Sequence, residues 1–105
     1  MQFTSYLQNG SLTIALTGEI DHHCAKKYIV AIAAKLEAYT PNSCTLDFSE
    51  VTFMDSSGIA VIINALRTVK QYGGVLQIIG MGEQPMKVFR ASGVDKLVEM
   101  KEAVI

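Results

Sequence analysis

The alternation of hydrophobic and polar residues predicts strands and helices in a regular order along this chain of 105 residues. Residues 3–8 and 11–17 alternate on either side of Asn9-Gly10, a dipeptide typical of a tight turn between antiparallel strands. Apolar runs at 43–48 and 75–79 predict two more strands. Helical spacing of apolar residues predicts three helices, at about 22–39, 56–72 and 83–92.

The order of these segments, β-β-α-β-α-β-α, predicts one α/β domain over residues 1–105. Strands that alternate with helices form parallel pairs joined by helical crossovers, whereas the initial hairpin is antiparallel. We therefore expect a mixed sheet of about four strands with an N-terminal hairpin. Residues 97–100 fit either a short further strand or a turn.

Parallel strands also predict where a binding site lies, because the loops that follow them open on one edge of the sheet. Open α/β sheets bind ligands and partners at that edge. The loops expected there are 18–22, 49–57 and 80–83. Together they gather Asp21, His22, Ser56, Met81 and Gly82.

Composition excludes several classes of partner. The formal net charge is -1, and no run of Lys or Arg is present, so we expect no nucleic-acid partner. No apolar run is long enough to span a bilayer, and no signal peptide is recognisable, so we expect no membrane association. The two cysteines, Cys24 and Cys44, are expected to be reduced and mostly buried thiols. These features together predict a cytoplasmic protein.

The segment Asp55-Ser56-Ser57-Gly58 is the strongest local signal, because a small polar group opens directly into an apolar helical pattern. Asp and Ser accept hydrogen bonds from the free N–H groups at a helix start. The helix dipole also favours negative charge there, so Ser56 suits a phosphate that is either bound or covalently attached. Ser57 is expected to be structural, and Gly58 to allow a close backbone approach.

Simpler interpretations stand beside each of these hypotheses. Ser56 and Ser57 can be capping residues alone, and Asp21 can be the N-cap of the first helix as well as a partner contact. His22 and His23 are expected to be surface residues, since neighbours on a helix point about 100° apart and no second ligand cluster exists to form a metal site. A Ser–His–Asp hydrolase can be assembled from Ser56, His22 and Asp21, but the Gly-x-Ser-x-Gly elbow is missing.

Apolar residues near the same edge have two possible roles. Met54, Met81 and Met86 either fill gaps in the core or give a soft surface to a partner. Val61 and Ala65 lie off the predicted core stripe of the second helix, so they would form an apolar docking face if exposed. That stripe is predicted to consist of Ile59, Ile62, Ile63, Leu66 and Val69.

Four segments of the chain carry a resemblance to a known family. The principal two are Thr17-Gly18-Glu19-Ile20-Asp21-His22-His23 and Phe53-Met54-Asp55-Ser56-Ser57-Gly58, about 35 residues apart and in matching element order. Leu46-Asp47-Phe48-Ser49 and Ser92-Gly93-Val94 add to them. With these motifs the chain resembles the anti-sigma factor antagonists, which are bacterial STAS domains, and is most similar to the sporulation-type antagonists.

The resemblance implies a regulatory binding protein in transcription, acting in sporulation or stress response, rather than an enzyme. It implies binding to an anti-sigma factor that is an ATP-dependent serine kinase, which releases a sigma factor. Phosphorylation of Ser56 would end binding, and a PP2C-type phosphatase would restore it. No catalytic residue, cofactor or metal is implied. The predicted partner-binding residues are Asp21, His22, Met54, Asp55, Ser56, Ser57, Gly58 and Met81.

Two alternatives remain at this level. The domain could be a STAS interaction module of another bacterial signalling complex. It could also sense a small molecule or nucleotide through the helix start at Ser56, although no glycine-rich phosphate loop supports this.

Overall fold

A computed structural model describes residues 2–101. This part of the chain forms three helices, α1 (Ala25–Tyr39), α2 (Ser56–Gln71) and α3 (Glu83–Ser92). A short 3-10 turn, Val94–Lys96, follows α3. The strands are β1 (Gln2–Gln8), β2 (Ser11–Ile20), β3 (Ser43–Met54), β4 (Val75–Ile79) and β5 (Glu99–Lys101).

The strands form one mixed sheet in the order β1-β2-β3-β4-β5. The β1–β2 pair is antiparallel, and the β2–β3, β3–β4 and β4–β5 pairs are parallel. The predicted fold class is confirmed. The sheet has one short strand more than the four expected. This strand begins within residues 97–100, for which the sequence allowed either a strand or a turn.

The predicted hairpin is also present. Asn9 and Gly10 both have positive φ, 52° and 80°, as the two central residues of a tight turn between twisted antiparallel strands require. The ladder pairs Gln8 with Ser11 directly beside the turn. The turn therefore sets the register of the first two strands.

One face of the sheet carries the core. In β4 and in the first parts of β2 and β3, buried residues alternate with half-buried or exposed ones. α1 and α2 pack against each other over the buried face, and the hydroxyl of Tyr28 in α1 donates to the carbonyl of Thr17 in β2 at 2.9 Å. The opposite face is largely polar, as the half-buried Thr13, Thr45 and Gln77 illustrate.

The apolar docking face that α2 would have if Val61 and Ala65 were exposed does not form. Val61 and Ala65 are buried, at 0% and 2% exposure. The physical reason is that α2 has neighbours on several sides, since it contacts α1, α3, β3 and β4. Ile63 and Leu66, which were expected in the core stripe, are only partly buried at its margin.

The strands that lead to the predicted edge are longer than the sequence pattern indicated. β2 continues to Ile20 and β3 to Met54, so the predicted loop 49–57 is mostly strand. The register between them shifts at Ala15/Thr17 and again at Gly18/Glu19, and each shift places one extra residue in β3. Such bulges break the strict alternation on which strand prediction depends.

Both cysteines are free thiols. Cys44 is fully buried in β3, and this burial raises its thiol pKa to about 12. Cys24 is half-buried before α1. In the part of the chain that the structure describes, no helix combines the length and apolar character needed to cross a membrane.

Candidate functional site

The junction between β3 and α2 is built around Asp55, the one residue between strand and helix. Its backbone is extended, with φ -105° and ψ -166°, and its carboxylate accepts a hydrogen bond from the Ser57 N–H at 2.8 Å. The Asp55 carbonyl accepts from the Gly58 N–H at 3.0 Å. Asp55 is therefore the N-cap of α2, as its residue type predicts.

Ser56 is the first residue of α2 and is exposed. The first turn of α2 contains no acidic side chain, and the carboxylate of the N-cap Asp55 lies next to the positive end of the helix dipole. Ser56 also lines a groove of about 430 Å³ between α2 and α3. The other residues along this groove are Ile59, Lys87, Val88, Ala91 and Ser92.

Met54 is a core residue, which corrects its prediction as a partner contact. Its side chain is fully buried and lies against the backbone of Gly58. A Cβ at Gly58 would come within 2.8 Å of the Met54 sulfur and 3.0 Å of its Cβ. Gly58 is buried as well, so this pair fixes the angle at which α2 leaves the strand and presents no surface of its own to a partner.

The junction between β2 and α1 is a longer turn. Asp21 accepts hydrogen bonds through its carboxylate from the N–H groups of His23 at 2.9 Å and Cys24 at 3.3 Å. Its carbonyl accepts from the Cys24 and Ala25 N–H groups at 3.2 and 2.9 Å. The N-cap of α1 is Cys24, so Asp21 organises the turn before the helix instead of capping the helix itself.

These bonds determine the acidity of Asp21. Partial desolvation opposes its ionisation, but the hydrogen bonds from His23 and Cys24 outweigh that effect and lower the pKa of Asp21 below its ordinary value. A carboxylate that accepts backbone N–H groups is stabilised in its charged form. Asp21 is therefore an ionised, half-buried group at this edge of the sheet.

His22 and His23 are exposed, and their ring centroids lie 4.0 Å apart. Among residues 2–101, no group of three or more His, Cys, Asp or Glu side chains has the arrangement of a metal site. The two rings extend the polar surface next to Asp21.

The ends of β2 and β3 lie side by side, which brings the two junctions together. Ile20 pairs with Met54, and the Asp55 N–H donates to the Ile20 carbonyl at 3.2 Å. Asp21 and Asp55 each follow directly after this pair. Met81, in the loop after β4, is half-buried and packs against the core.

Two residues near the site were not among the predicted partner-binding residues. Phe53, two residues before Asp55, is 40% exposed, because the two bulges in β3 move the buried positions to Val51 and Met54. Gln84, in the first turn of α3, hydrogen-bonds the backbone of Met54. The broken alternation around residues 49–54 is a signal for Phe53, but no local pattern marks Gln84.

The comparisons with known proteins agree with this structure. The STAS domain model matches residues 2–104, so the chain belongs to the STAS domain family, as its motifs indicated. It is 28% identical over 93 residues to the anti-sigma-B factor antagonist of Listeria monocytogenes, covering 86% of this chain and 78% of that protein. It is 26% identical over 89 residues to the anti-sigma F factor antagonist of Paenibacillus polymyxa, covering 85% and 76%.

Solved structures show the same fold. The anti-sigma factor antagonist SpoIIAA in its unphosphorylated form has a TM-score of 0.84 to this chain at 24% identity, covering 98% of this chain and 89% of that one. The phosphorylated form of the Bacillus cell fate determinant SpoIIAA has a TM-score of 0.76 at 24% identity, covering 98% and 92%. At this identity the likeness concerns the fold.

Proposed function

We propose that this STAS domain is a cytoplasmic anti-sigma factor antagonist, controlled by phosphorylation of Ser56. In its unmodified form it binds an anti-sigma factor that is also an ATP-dependent serine kinase. The observation that carries the proposal is the placement of Ser56, an exposed hydroxyl at the first position of a capped helix. The similarity to the anti-sigma factor antagonists of Listeria monocytogenes and Paenibacillus polymyxa supports the antagonist role. A PP2C-type phosphatase would remove the phosphate.

Residues near Ser56 in the sequence and along the groove offer both apolar and polar contacts to a partner. The exposed ring of Phe53 offers apolar area, and aromatic residues are enriched where proteins bind each other. Asp21 and His22 lie on the adjoining junction and supply polar contacts. The groove beside Ser56 adds apolar walls and the amine of Lys87. The kinase would therefore bind the residues that surround the hydroxyl it modifies.

A phosphate at this position should act on binding and leave the fold intact. It adds about -1.5 to -2 charges at pH 7, and the helix start stabilises such a charge by about 0.3–1 kcal/mol at an exposed site. In a complex the same group would be desolvated next to Asp55. A charge left unpaired in an interface costs about 2–5 kcal/mol, which lowers affinity by about thirtyfold to several thousandfold.

The test is to incubate the protein with ATP and the anti-sigma kinase and to measure intact mass. Peptide mapping then locates the added group. One phosphate on Ser56, and none on S56A, is the expected result. Phosphate on S56A would assign the acceptor to another residue. A folded protein that binds the active kinase tightly and is never modified would instead indicate a STAS interaction module without this switch.

A charge variant tests how the switch acts. S56D should bind the kinase at least about thirtyfold more weakly than the unmodified protein, while its unfolding midpoint stays nearly unchanged. Q71E is the matched control, because it places one negative charge at the exposed far end of the same helix. Unchanged binding by S56D, or equal weakening by Q71E, would contradict a local charge mechanism.

A further inference from the structure

Among residues 2–101, the end of β3 has a neighbouring strand on one side. β4 ends at Ile79, which pairs with Asp47, so β3 continues beyond it from Phe48 to Met54, and in this described part of the chain its ladder partner there is β2 alone. Backbone groups of successive strand residues point to opposite sides. Because the Asp55 N–H points towards β2 and reaches Ile20, the N–H and carbonyl of Met54 point to the side without a strand.

The side chain of Gln84 occupies that side. The Met54 N–H donates to Gln84 Oε1 at 2.9 Å, and Gln84 Nε2 donates to the Met54 carbonyl at 2.9 Å. The primary amide thus supplies both the acceptor and the donor that a neighbouring strand would otherwise offer to Met54. It satisfies the N–H and the carbonyl of Met54, a residue whose side chain is fully buried. Without Gln84, these two backbone groups would lose their hydrogen bonds, which costs free energy of folding.

We propose that Gln84 is a positioning residue for the phosphate acceptor. Ser56 follows Met54 by two residues, and only the N-cap Asp55 lies between them. Gln84 on one side and Ile20 on the other fix the last peptide groups of β3, and the packing of Met54 on Gly58 carries this constraint into the first turn of α2. The role of Gln84 in phosphorylation rests on the proposed function. Its constraint on the backbone around Ser56 does not.

The same bonds connect α3 to the acceptor. Gln84 belongs to the first turn of α3, and Lys87 and Val88 of that helix line the groove beside Ser56. Gln84 therefore sets the start of α3 and the end of β3 relative to each other. A partner that binds along α3 meets the Ser56 hydroxyl at a fixed place and orientation.

The first experiment compares Q84A with the control variant Q71A, which replaces an exposed glutamine at the end of α2. Hydrogen exchange of the Met54 and Gly58 amides should be faster in Q84A by about tenfold or more, the factor that follows from the loss of two ordinary hydrogen bonds. Amides at the hairpin end of the sheet, far from Gln84, should exchange faster only as far as the lower global stability of Q84A requires. Q71A should leave the Met54 amide unchanged, and equal protection of that amide in Q84A would overturn the proposal.

The second measurement is phosphorylation kinetics with the same variants. Q84A should lower kcat by about tenfold with KM nearly unchanged, since misplacing a reacting group by a small distance costs up to about a hundredfold. If the wild-type protein is phosphorylated on Ser56 and Q84A is phosphorylated with the same kcat and KM, the positioning role is overturned. If the wild-type protein is never phosphorylated, the proposed function fails. Hydrogen exchange alone then decides whether Gln84 fixes the segment from Met54 to Gly58.

A third variant separates these hydrogen bonds from side-chain volume. In Q84E an ionised carboxylate still accepts from the Met54 N–H but cannot donate to the Met54 carbonyl. When the pH falls towards the ordinary glutamate pKa of about 4.3, the protonated group regains a donor. The Met54 amide resonance of Q84E should then move towards its position in the unmodified protein, and Q71E should show no such change. A pH-independent resonance in Q84E would contradict the role of the second hydrogen bond.

Discussion

The two junctions from strand to helix at this edge have the same chemistry and different geometry. Each begins with an aspartate directly after a strand whose last residue is buried, Ile20 in one case and Met54 in the other. At the second junction Asp55 alone separates strand from helix, and its carboxylate caps α2. At the first, the turn from Asp21 to Cys24 precedes α1, and the side chain of the N-cap Cys24 accepts no capping hydrogen bond from the helix.

The difference shows what a single-residue junction does. Because α2 begins immediately after the end of β3, the position of Ser56 is determined by the sheet. The longer turn before α1 instead exposes two histidines on a segment stabilised by its own aspartate. A rigid junction suits a residue that an enzyme must find in one orientation, and a longer turn suits contacts that can adapt.

The largest expected effect is on the packing beneath the rigid junction. M54A removes a fully buried side chain, and such truncations cost about 2–5 kcal/mol of the free energy of unfolding. The matched change at the other junction, C24A, removes a half-buried thiol and should cost less than about 1 kcal/mol. Urea unfolding of both variants checks this, and equal losses would show that the two junctions do not differ in packing.

A smaller effect is expected from the cap itself. D55A removes the acceptor of the Ser57 N–H and should cost about 0.5–2 kcal/mol, whereas D55N, which still caps, should cost only a few tenths. The readout is again the free energy of unfolding in urea. Equal losses in D55A and D55N would point to the charge of Asp55, rather than its capping hydrogen bond, as the stabilising element.

The smallest effect concerns the longer turn and depends on pH. The pKa of Asp21 is lowered in the folded protein, so its ionised form stabilises the fold above the unfolded-state pKa of about 3.9. The thermal midpoint of the unmodified protein should exceed that of D21N at pH 7. This margin should shrink below about pH 4 and disappear once the folded-state pKa is passed. A margin that is constant with pH would contradict the role of the charge.

The local signals that predicted structure well come from residue types whose backbone preferences fit one kind of position. Asn9-Gly10 indicated the hairpin because few residues adopt positive φ at both turn positions. The predicted helix 83–92 is α3, which has Pro85 in its first turn and Gly93 at φ 80° as its C-cap, the positions that these residue types favour. Each of these residues acts through its own backbone, so its effect depends little on distant parts of the chain.

The details of the site needed the three-dimensional structure because they depend on distant segments. The buried positions of β3 change from every second residue to every third, at Phe48, Val51 and Met54, because of its bulges against β2. Gln84 reaches Met54 across thirty positions of sequence. The aspartate of the first junction gave the same signal as the N-cap of the second, and only the fold distinguishes them.

Cys44 gives this protein an internal reporter of strand opening. A thiol with a pKa of about 12 and no exposure is almost inert to alkylating reagents, because the thiolate is the reactive species. It can be labelled only while β3 is detached from its neighbours. Its labelling rate therefore measures how often the strand that ends at the Ser56 junction opens. The same rate before and after phosphorylation would mean that the modification changes the surface of the protein and not the stability of this strand.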